Sequence, residues 1–237
     1  MPMENNTAIV LAAGRGSRMG GRTPKQFLEL GGKPLIYYSL KAFEDFDEVS
    51  RVILVTGSED IDYCKSGIIE RYGFRKADTC IAGGAERYLS VYNGLKAAGG
   101  SPCAYVFIHD GARPNADAGI LKRTLEGARR CGACTAGMKV KDTIRETDGE
   151  GFSVRTPDRS TLWAVQTPQV FRYDLVMEAY SALAASGDYE GITDDAMVVE
   201  RMTGVRALMV EGSYRNIKIT TPEDLLSARA FLPGAGE

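Results

Sequence analysis

The chain has 237 residues, 44% hydrophobic and 25% charged, and 29 basic against 31 acidic side chains leave a formal charge of −2. That composition allows one large α/β domain spanning 1–237, and it argues against a nucleic-acid surface, because no basic run or basic-aromatic interleaving occurs. No stretch approaches the roughly 20 apolar residues of a membrane span, and the opening MPMENN lacks a signal-peptide layout, so the chain is expected to be soluble and cytoplasmic.

Thr7 to Leu30 reads TAIVLAAGRGSRMGGRTPKQFLEL. Ala8 to Ala12 is a short apolar run rich in β-branched residues, which predicts a buried strand emptying into a glycine-rich loop. Glycines at 14 and 16 let backbone amides approach an anion without a Cβ in the way. Arg18 and Lys25 add two cations, so the stretch reads as a polyphosphate site rather than an ordinary turn. Two familiar phosphate loops are excluded by spacing: no GxxxxGK[ST] occurs, and Gly14-x-Gly16-x-x-x-Gly20 is one residue too long for a dinucleotide fingerprint. The remaining pattern, LAAGxGxRM followed by PKQ, resembles nucleotidyltransferases that activate sugar and polyol phosphates.

Downstream, Pro34 to Phe46 places Leu35, Tyr38, Leu40 and Phe43 near one helical face, and Arg51 to Thr56 is a second buried strand. Ser58-Glu59-Asp60 is expected to cap a helix running to Tyr72. A short strand from Asp78 to Ala82 ends at Gly83-Gly84, and a helix from Glu86 to Ala98 follows. Ala104 to Asp110 is a third strong strand, with Asp110 and Arg113 at the same sheet edge as the glycine loop. Asp117 caps a helix to Arg130, and Ala133 to Val140 returns to strand. This alternation predicts a mostly parallel twisted sheet with helices on both faces.

The rhythm changes between residues 139 and 156, which alternate polar and apolar around Asp148-Gly149-Glu150-Gly151. That is a hairpin signal, and an isolated hairpin needs a partner surface. A projecting arm, about 139–160, buried by another subunit is the expectation. Leu162 to Val165 returns toward the core, and Gln166-Thr167-Pro168-Gln169 is expected to break it before a helix from Arg172 to Ser186. Thr193 reads as the N-cap of a helix through Met202, with Asp194 and Asp195 matching the dipole of its first turn. Strands from Val205 to Val210 and from Asn216 to Ile219 precede a final helix begun by Thr221-Pro222, which puts Lys218 at a strand end.

Three clusters converge in this layout: Gly14 to Lys25, Asp110 to Arg113, and Lys218. Cations in a cleft suit phosphoryl or nucleotidyl transfer, and a single aspartate suits Mg²⁺, which commonly takes one or two carboxylates and completes its shell with phosphate oxygens and water. The lone His109 reads as packing at a strand end. A phosphate monoester is already largely dianionic at neutral pH and attacks without a base. Five scattered cysteines fit free thiols; Cys131-x-x-Cys134 has no second pair to complete a zinc site.

The stretches LAAGRGSRM, PKQF, GGAERYLSV, HDGARP, VKDTI, DRSTLW, QTPQVF, ITDDA and NIKITTPEDL, in that order, resemble the 2-C-methyl-D-erythritol 4-phosphate cytidylyltransferases of the non-mevalonate isoprenoid route. The resemblance runs from Thr7 to Phe231. It implies a single Rossmann-like nucleotidyltransferase domain with a dimerisation arm, and attack of a substrate phosphate on the α-phosphorus of CTP with Mg²⁺ or another divalent cation. It implies that Ala12, Ala13, Gly14 and Gly16 cradle the triphosphate and that Arg18, Lys25 and Lys218 stabilise the transition state. Gly84, Ala85 and Ser90 fall on the cytosine and ribose positions. Asp110, Arg113, Thr143 and Arg159 fall on those for methylerythritol phosphate, with Asp110 also near nucleotide and metal. In such a homodimer the arms are exchanged, so Thr143 and Arg159 serve the neighbouring site. Ala85 stands where an aspartate can occur, which moves base recognition to backbone groups, and Gly111 replaces an alanine, which is expected to leave room beside the nucleotide. Ribitol 5-phosphate cytidylyltransferases and a nonenzymatic nucleotide-binding regulator are the alternatives; Arg159 before Leu162-Trp163 favours the erythritol enzymes, and the presence of Lys25, Asp110 and Lys218 disfavours the regulator.

Overall fold

A computed structural model describes residues 4–14 and 23–232. In chain order these form β1 (Thr7–Ala12), the short pair β2 (Glu29–Leu30) and β3 (Lys33–Pro34), α1 (Leu35–Glu44), β4 (Arg51–Thr56), α2 (Ile61–Tyr63), β5 (Thr79–Ala82) and α3 (Arg87–Ala98). Then come β6 (Tyr105–Asp110), α4 (Ala118–Cys131), β7 (Ala133–Lys139), β8 (Glu146–Thr147), β9 (Ser153–Arg155), β10 (Trp163–Arg172), α5 (Tyr173–Ser186), α6 (Asp195–Thr203), β11 (Leu208–Glu211) and α7 (Pro222–Ala230).

One seven-stranded sheet runs β11-β7-β10-β6-β1-β4-β5. Its pairs are parallel except those of β10, which is antiparallel to both β6 and β7. The apolar runs in β1, β4 and β6 are continuous because both faces are covered. In β1, Val10 enters one core with Phe43, Phe107 and Leu121, while Ile9 enters the other with Val106, Ile108 and Val199. Register places Ala12 beside Thr56, Thr56 beside Ala82, and Leu11 beside Asp110. The carboxyl ends of four strands thereby share one edge. The mostly parallel α/β class expected from the alternation is the one observed.

Several local signals act as written. The Asp117 side chain accepts the Ile120 amide at 2.8 Å, and Gly132, at φ 84°, ends α4. Thr221 and Asp224 form a reciprocal capping box with Pro222 at the first helical position. Others are corrected. Ser58–Asp60 forms a 3-10 turn without a side-chain cap, and α2 widens into a π-helical segment, Cys64–Glu70. Asp194, not Thr193, caps α6, its carboxylate accepting the Met197 amide at 2.9 Å. The 166–169 segment does not break its strand: β10 runs through it, with a register shift between Val165 and Gln169 that accommodates Pro168 where the ladder is interrupted. Asn216 to Ile219 forms no strand; Ile219 bonds the Ala112 carbonyl, and Asn216 closes a turn on Ser213. The expected strand at Val205 begins only at Leu208.

Between β7 and β10 the chain leaves the sheet, and Val140 and Leu162 close its base with a 3.1 Å backbone hydrogen bond. β8 and β9 pair antiparallel beyond it, and the Asp148 carboxylate accepts the amides of Glu150 and Phe152 to make the turn. The hairpin carries exposed apolar side chains, Phe152 at 68% and Val154 at 69%, with Ile144 nearer its base.

Candidate active site

The carboxyl ends of β1 and β6 open into a cleft. Ala12, Ala13 and Gly14 leave β1 along one wall, Gly84, Ala85 and Ser90 form the facing wall, and Lys25, Arg87, Asp110 and Lys218 line it between them. The facing wall is a tight turn. The Ser90 hydroxyl accepts the Gly84 amide at 3.0 Å and donates to the Glu86 carbonyl at 3.2 Å. A side chain at Gly84 would collide with Leu89 Cβ, so only glycine lets the turn close this near α3.

Lys25 begins a 3-10 turn, Lys25–Phe27, anchored by buried Gln26, whose amide nitrogen donates to the Ala12 carbonyl at 2.5 Å. The Lys25 ammonium donates to the Ile219 carbonyl at 3.0 Å, bringing it to the segment that carries Lys218. Gly16 and Arg18 lie outside the described residues.

Asp110 is the centre of charge. Its Oδ2 lies 2.9 Å from Lys218 Nζ and 3.7 Å from Arg113 Nε, and its Oδ1 lies 3.3 Å from Arg87 Nε. Burial alone would raise its pKa; Arg87, Lys218 and Arg113 outweigh that and hold the carboxyl far below the usual carboxylate range. Arg113 donates to the Asn216 carbonyl at 2.9 Å, and its Nε has no hydrogen-bond partner among the described residues. A second cleft adjoins the first and shares Arg87, Asp110 and Lys218 with it, adding Arg113, Thr167, Gln169, Thr193 and Asp194.

His109 is fully buried against Phe43. The Thr167 hydroxyl accepts the Asp110 amide, so its own proton points to His109 Nδ1 at 3.0 Å, while Nε2–H donates to the Arg113 carbonyl at 3.1 Å. This network assigns the neutral Nε2–H tautomer, and burial pushes the pKa down to about 4. The expectation that His109 packs rather than acts as a base agrees with its surroundings.

Thr143 and Arg159 are exposed on the arm and line neither cleft of their own chain; the Arg159 guanidinium donates to the Lys141 carbonyl at 2.9 Å. The room expected at Gly111 is filled: a Cβ there would lie 2.6 Å from Ile36 Cδ1 and 2.9 Å from the Leu11 carbonyl oxygen. Among the described residues no group of three or more His, Cys, Asp or Glu side chains gathers to cage a metal. Asp110 is a lone carboxylate already shared by three cations, so the donor set fits an ion that brings its other ligands with it, as a nucleotide-borne Mg²⁺ does. Cys134 is buried with its thiol pushed up to about 12, away from metal or redox chemistry.

Sequence reasoning missed Arg87 and the part played by Asp195. Arg87 lies within the GGAERYLSV stretch, and Asp195 reads as a helix-dipole residue. The structure buries Asp195 completely and pairs it with both terminal nitrogens of Arg87, at 2.9 and 2.8 Å. A basic residue three positions after a glycine pair, with its acidic partner 108 positions away, gives no periodic signal.

No described helix is long and apolar enough to cross a membrane. Residues 6–233 match the family model for 2-C-methyl-D-erythritol 4-phosphate cytidylyltransferase. The chain is 49% identical over 229 residues to the protein of that name from Lachnospira eligens, covering 97% of this chain and 100% of that one. It is 44% identical to the one from Clostridium perfringens, covering 95% and 97%. The crystal structure of 4-diphosphocytidyl-2C-methyl-D-erythritol synthase from Anaerococcus prevotii superposes with a TM-score of 0.83 at 31% identity, over 96% of each chain. The 2-C-methyl-D-erythritol 4-phosphate cytidylyltransferase from Thermus thermophilus gives 0.76 at 33%, over 95% and 98%.

Proposed function

The chain belongs to the 2-C-methyl-D-erythritol 4-phosphate cytidylyltransferase family, and from that premise we propose that it transfers CMP from CTP to the phosphate of 2-C-methyl-D-erythritol 4-phosphate by direct in-line attack. A phosphate oxygen of the acceptor forms a bond to the α-phosphorus, and the bond to the bridging β-oxygen breaks. Pyrophosphate leaves with that electron pair, and the product is 4-diphosphocytidyl-2-C-methyl-D-erythritol. The acceptor phosphate is largely dianionic near neutrality, so no side chain has to remove a proton.

One observation carries this reading: two clefts meet at Asp110 and Lys218, with Lys25 lining the first. The first takes the nucleotide. Backbone groups from Ala12 to Gly14, with Gly16, hold the triphosphate, and Gly84, Ala85 and Ser90 hold cytosine and ribose, the base being read by backbone because Ala85 brings no polar side chain. Arg18, Lys25 and Lys218 stabilise the charge that accumulates on the equatorial oxygens. The second cleft takes the acceptor, which Asp110 orients and Arg113 receives. Asp110 is the carboxylate that would hold Mg²⁺ or another divalent cation arriving on the triphosphate, and that ion supplies further neutralisation of phosphate charge when bound.

The same reading makes the protein a cytoplasmic homodimer that exchanges its arms. The exposed apolar side chains Ile144, Phe152 and Val154 favour a partner surface, and Thr143 and Arg159, which line neither cleft of their own chain, then complete the acceptor cleft of the neighbour. The test is pyrophosphate release by purified protein with CTP and Mg²⁺, comparing methylerythritol phosphate with ribitol 5-phosphate. Turnover with the first supports the reading. Turnover only with the second keeps the mechanism and replaces the acceptor, and no release with either leaves a nucleotide-binding protein.

A further inference from the structure

Arg87 has a geometry unlike that of the other cations at the site. We propose that it is a positioning residue: held from behind by Asp195, it fixes the Asp110 carboxylate, and through it Lys218, where the two clefts meet, a role that presupposes the cytidylyltransferase reaction.

The support is a chain of hydrogen bonds running from the sheet to the site. On β10, Gln169 accepts the backbone amides of Asp195 and Ala196 at 3.0 and 2.9 Å and donates to the Asp194 carboxylate at 3.0 Å. These contacts satisfy otherwise unpaired amides at the start of α6 and dock it on the strand. The Asp195 side chain, with no exposed surface, takes the Tyr180 hydroxyl at 2.5 Å and both terminal nitrogens of Arg87. A guanidinium fork matches a carboxylate in this bidentate way, and an ammonium does not. With both ends of the fork fixed, Arg87 Nε is aimed at Asp110 Oδ1, 3.3 Å away. Lys218 holds the other oxygen of Asp110 at 2.9 Å.

The charge balance separates this role from phosphate binding. Asp195 compensates the guanidinium, and a buried charge stripped of its partner is strongly unfavourable, so the pair stays closed. Arg87 therefore orients Asp110 without offering a free positive charge to the triphosphate. Asp195 and Tyr180 line neither the Ala12–Gly14 wall nor the Gly84–Ser90 wall. Loosening the relay from behind should disturb the acceptor side more than nucleotide binding, which also has the backbone of both walls to hold it.

The experiment uses full-length protein and three variants, Asp195→Asn, Tyr180→Phe and Arg87→Lys. CTP affinity is measured by calorimetry, the acceptor KM and kcat by pyrophosphate release, and folding by melting temperature. Tyr180→Phe keeps the ring and removes one hydrogen bond, so it is informative even if Asp195→Asn folds poorly. The expected result for Tyr180→Phe is an acceptor kcat/KM lower by about threefold with CTP affinity unchanged, and for Asp195→Asn and Arg87→Lys a kcat/KM lower by about thirtyfold with CTP affinity falling by a clearly smaller factor. The loss in Arg87→Lys, although it keeps the charge, is the signature of a lost fork. Wild-type acceptor kcat/KM in folded variants overturns the positioning role, as does an equal loss of CTP affinity and acceptor kcat/KM. A wild-type protein that does not use methylerythritol phosphate overturns the functional reading itself, whereas normal wild-type turnover with unaffected variants overturns only the relay.

Discussion

Acidification should destabilise this protein through a single imidazole. His109 is the only histidine in the chain, and it is buried in the neutral form with both ring nitrogens engaged. Its pKa of about 4 lies below the ordinary 6.5, so between those values the unfolded chain binds more protons than the folded one. The stabilisation is fully present above pH 6.5 and is lost as pH falls toward 4. The gap corresponds to about 3 kcal/mol in total, and about 2 kcal/mol of that is gone at pH 5. Set against a typical stability of about 5–15 kcal/mol, such a loss is readily measured. Urea unfolding from pH 7.5 to pH 5 should show stability falling with a slope approaching about 1.4 kcal/mol per pH unit below 6.5. The Cε1–H resonance, one peak in a one-histidine protein, should not titrate in the folded state over that range. A flat stability profile, or a native resonance titrating at or above 6.5, would refute the reasoning.

Lys25→Ala should lower kcat by about 10²–10³-fold while weakening CTP binding far less, because its charge matters most when charge develops on the phosphates; equal losses in single-turnover rate and CTP affinity would make it a binding residue only. Mixing Arg159→Ala chains with Lys25→Ala chains should restore activity at hybrid sites, and stable mixed dimers that stay inactive would count against exchanged arms. Gly111→Ala should cost about 1–3 kcal/mol in chemical denaturation, since its Cβ meets Ile36 and the Leu11 carbonyl, and a companion Ile36→Val should recover part of that. EDTA should stop pyrophosphate release without moving the melting temperature of the free protein, whose described residues build no metal cage; a shift in melting temperature would point to a resident ion.

The parts of this molecule legible in its sequence are those specified locally. β1, β4 and β6 are continuous apolar runs, and Asp117 and Thr221 cap helices within four residues of themselves. The strand ends then follow, and with them the positions of Asp110 and Lys25. What misled was chemistry decided at long range. Gln166 to Gln169 looks like a breaker, yet the strand persists because β6 and β7 both pair with Gln169 and a register shift absorbs the proline. NIKI in Asn216 to Ile219 has strand propensity, but its backbone is used in single contacts, the Ile219 amide to the Ala112 carbonyl and the Asn216 amide to the Ser213 carbonyl. Thr193 and Asp194 are both good caps, and the choice falls to Asp194 because Gln169 ties it in place. Arg87 and Asp195 are 108 positions apart, and the packing of α6 against α5, and of α5 against α3, brings them together. The resemblance to a known family supplied roles that spacing alone does not, whereas Gly111 shows its limit: the space an alanine would need is taken by Ile36 in this chain.

The arm enters and leaves the sheet at neighbouring points. β7 and β10 are hydrogen-bonded to each other, and Val140 and Leu162 join the two strands just before the excursion begins. Lengthening or shortening such an excursion costs little closure entropy, because its ends are already held by the ladder. The arm is therefore a replaceable module. Its outline and apolar face can change without moving Asp110 or Lys218, and under the proposed arm exchange only Thr143 and Arg159 would tie its sequence to the acceptor cleft.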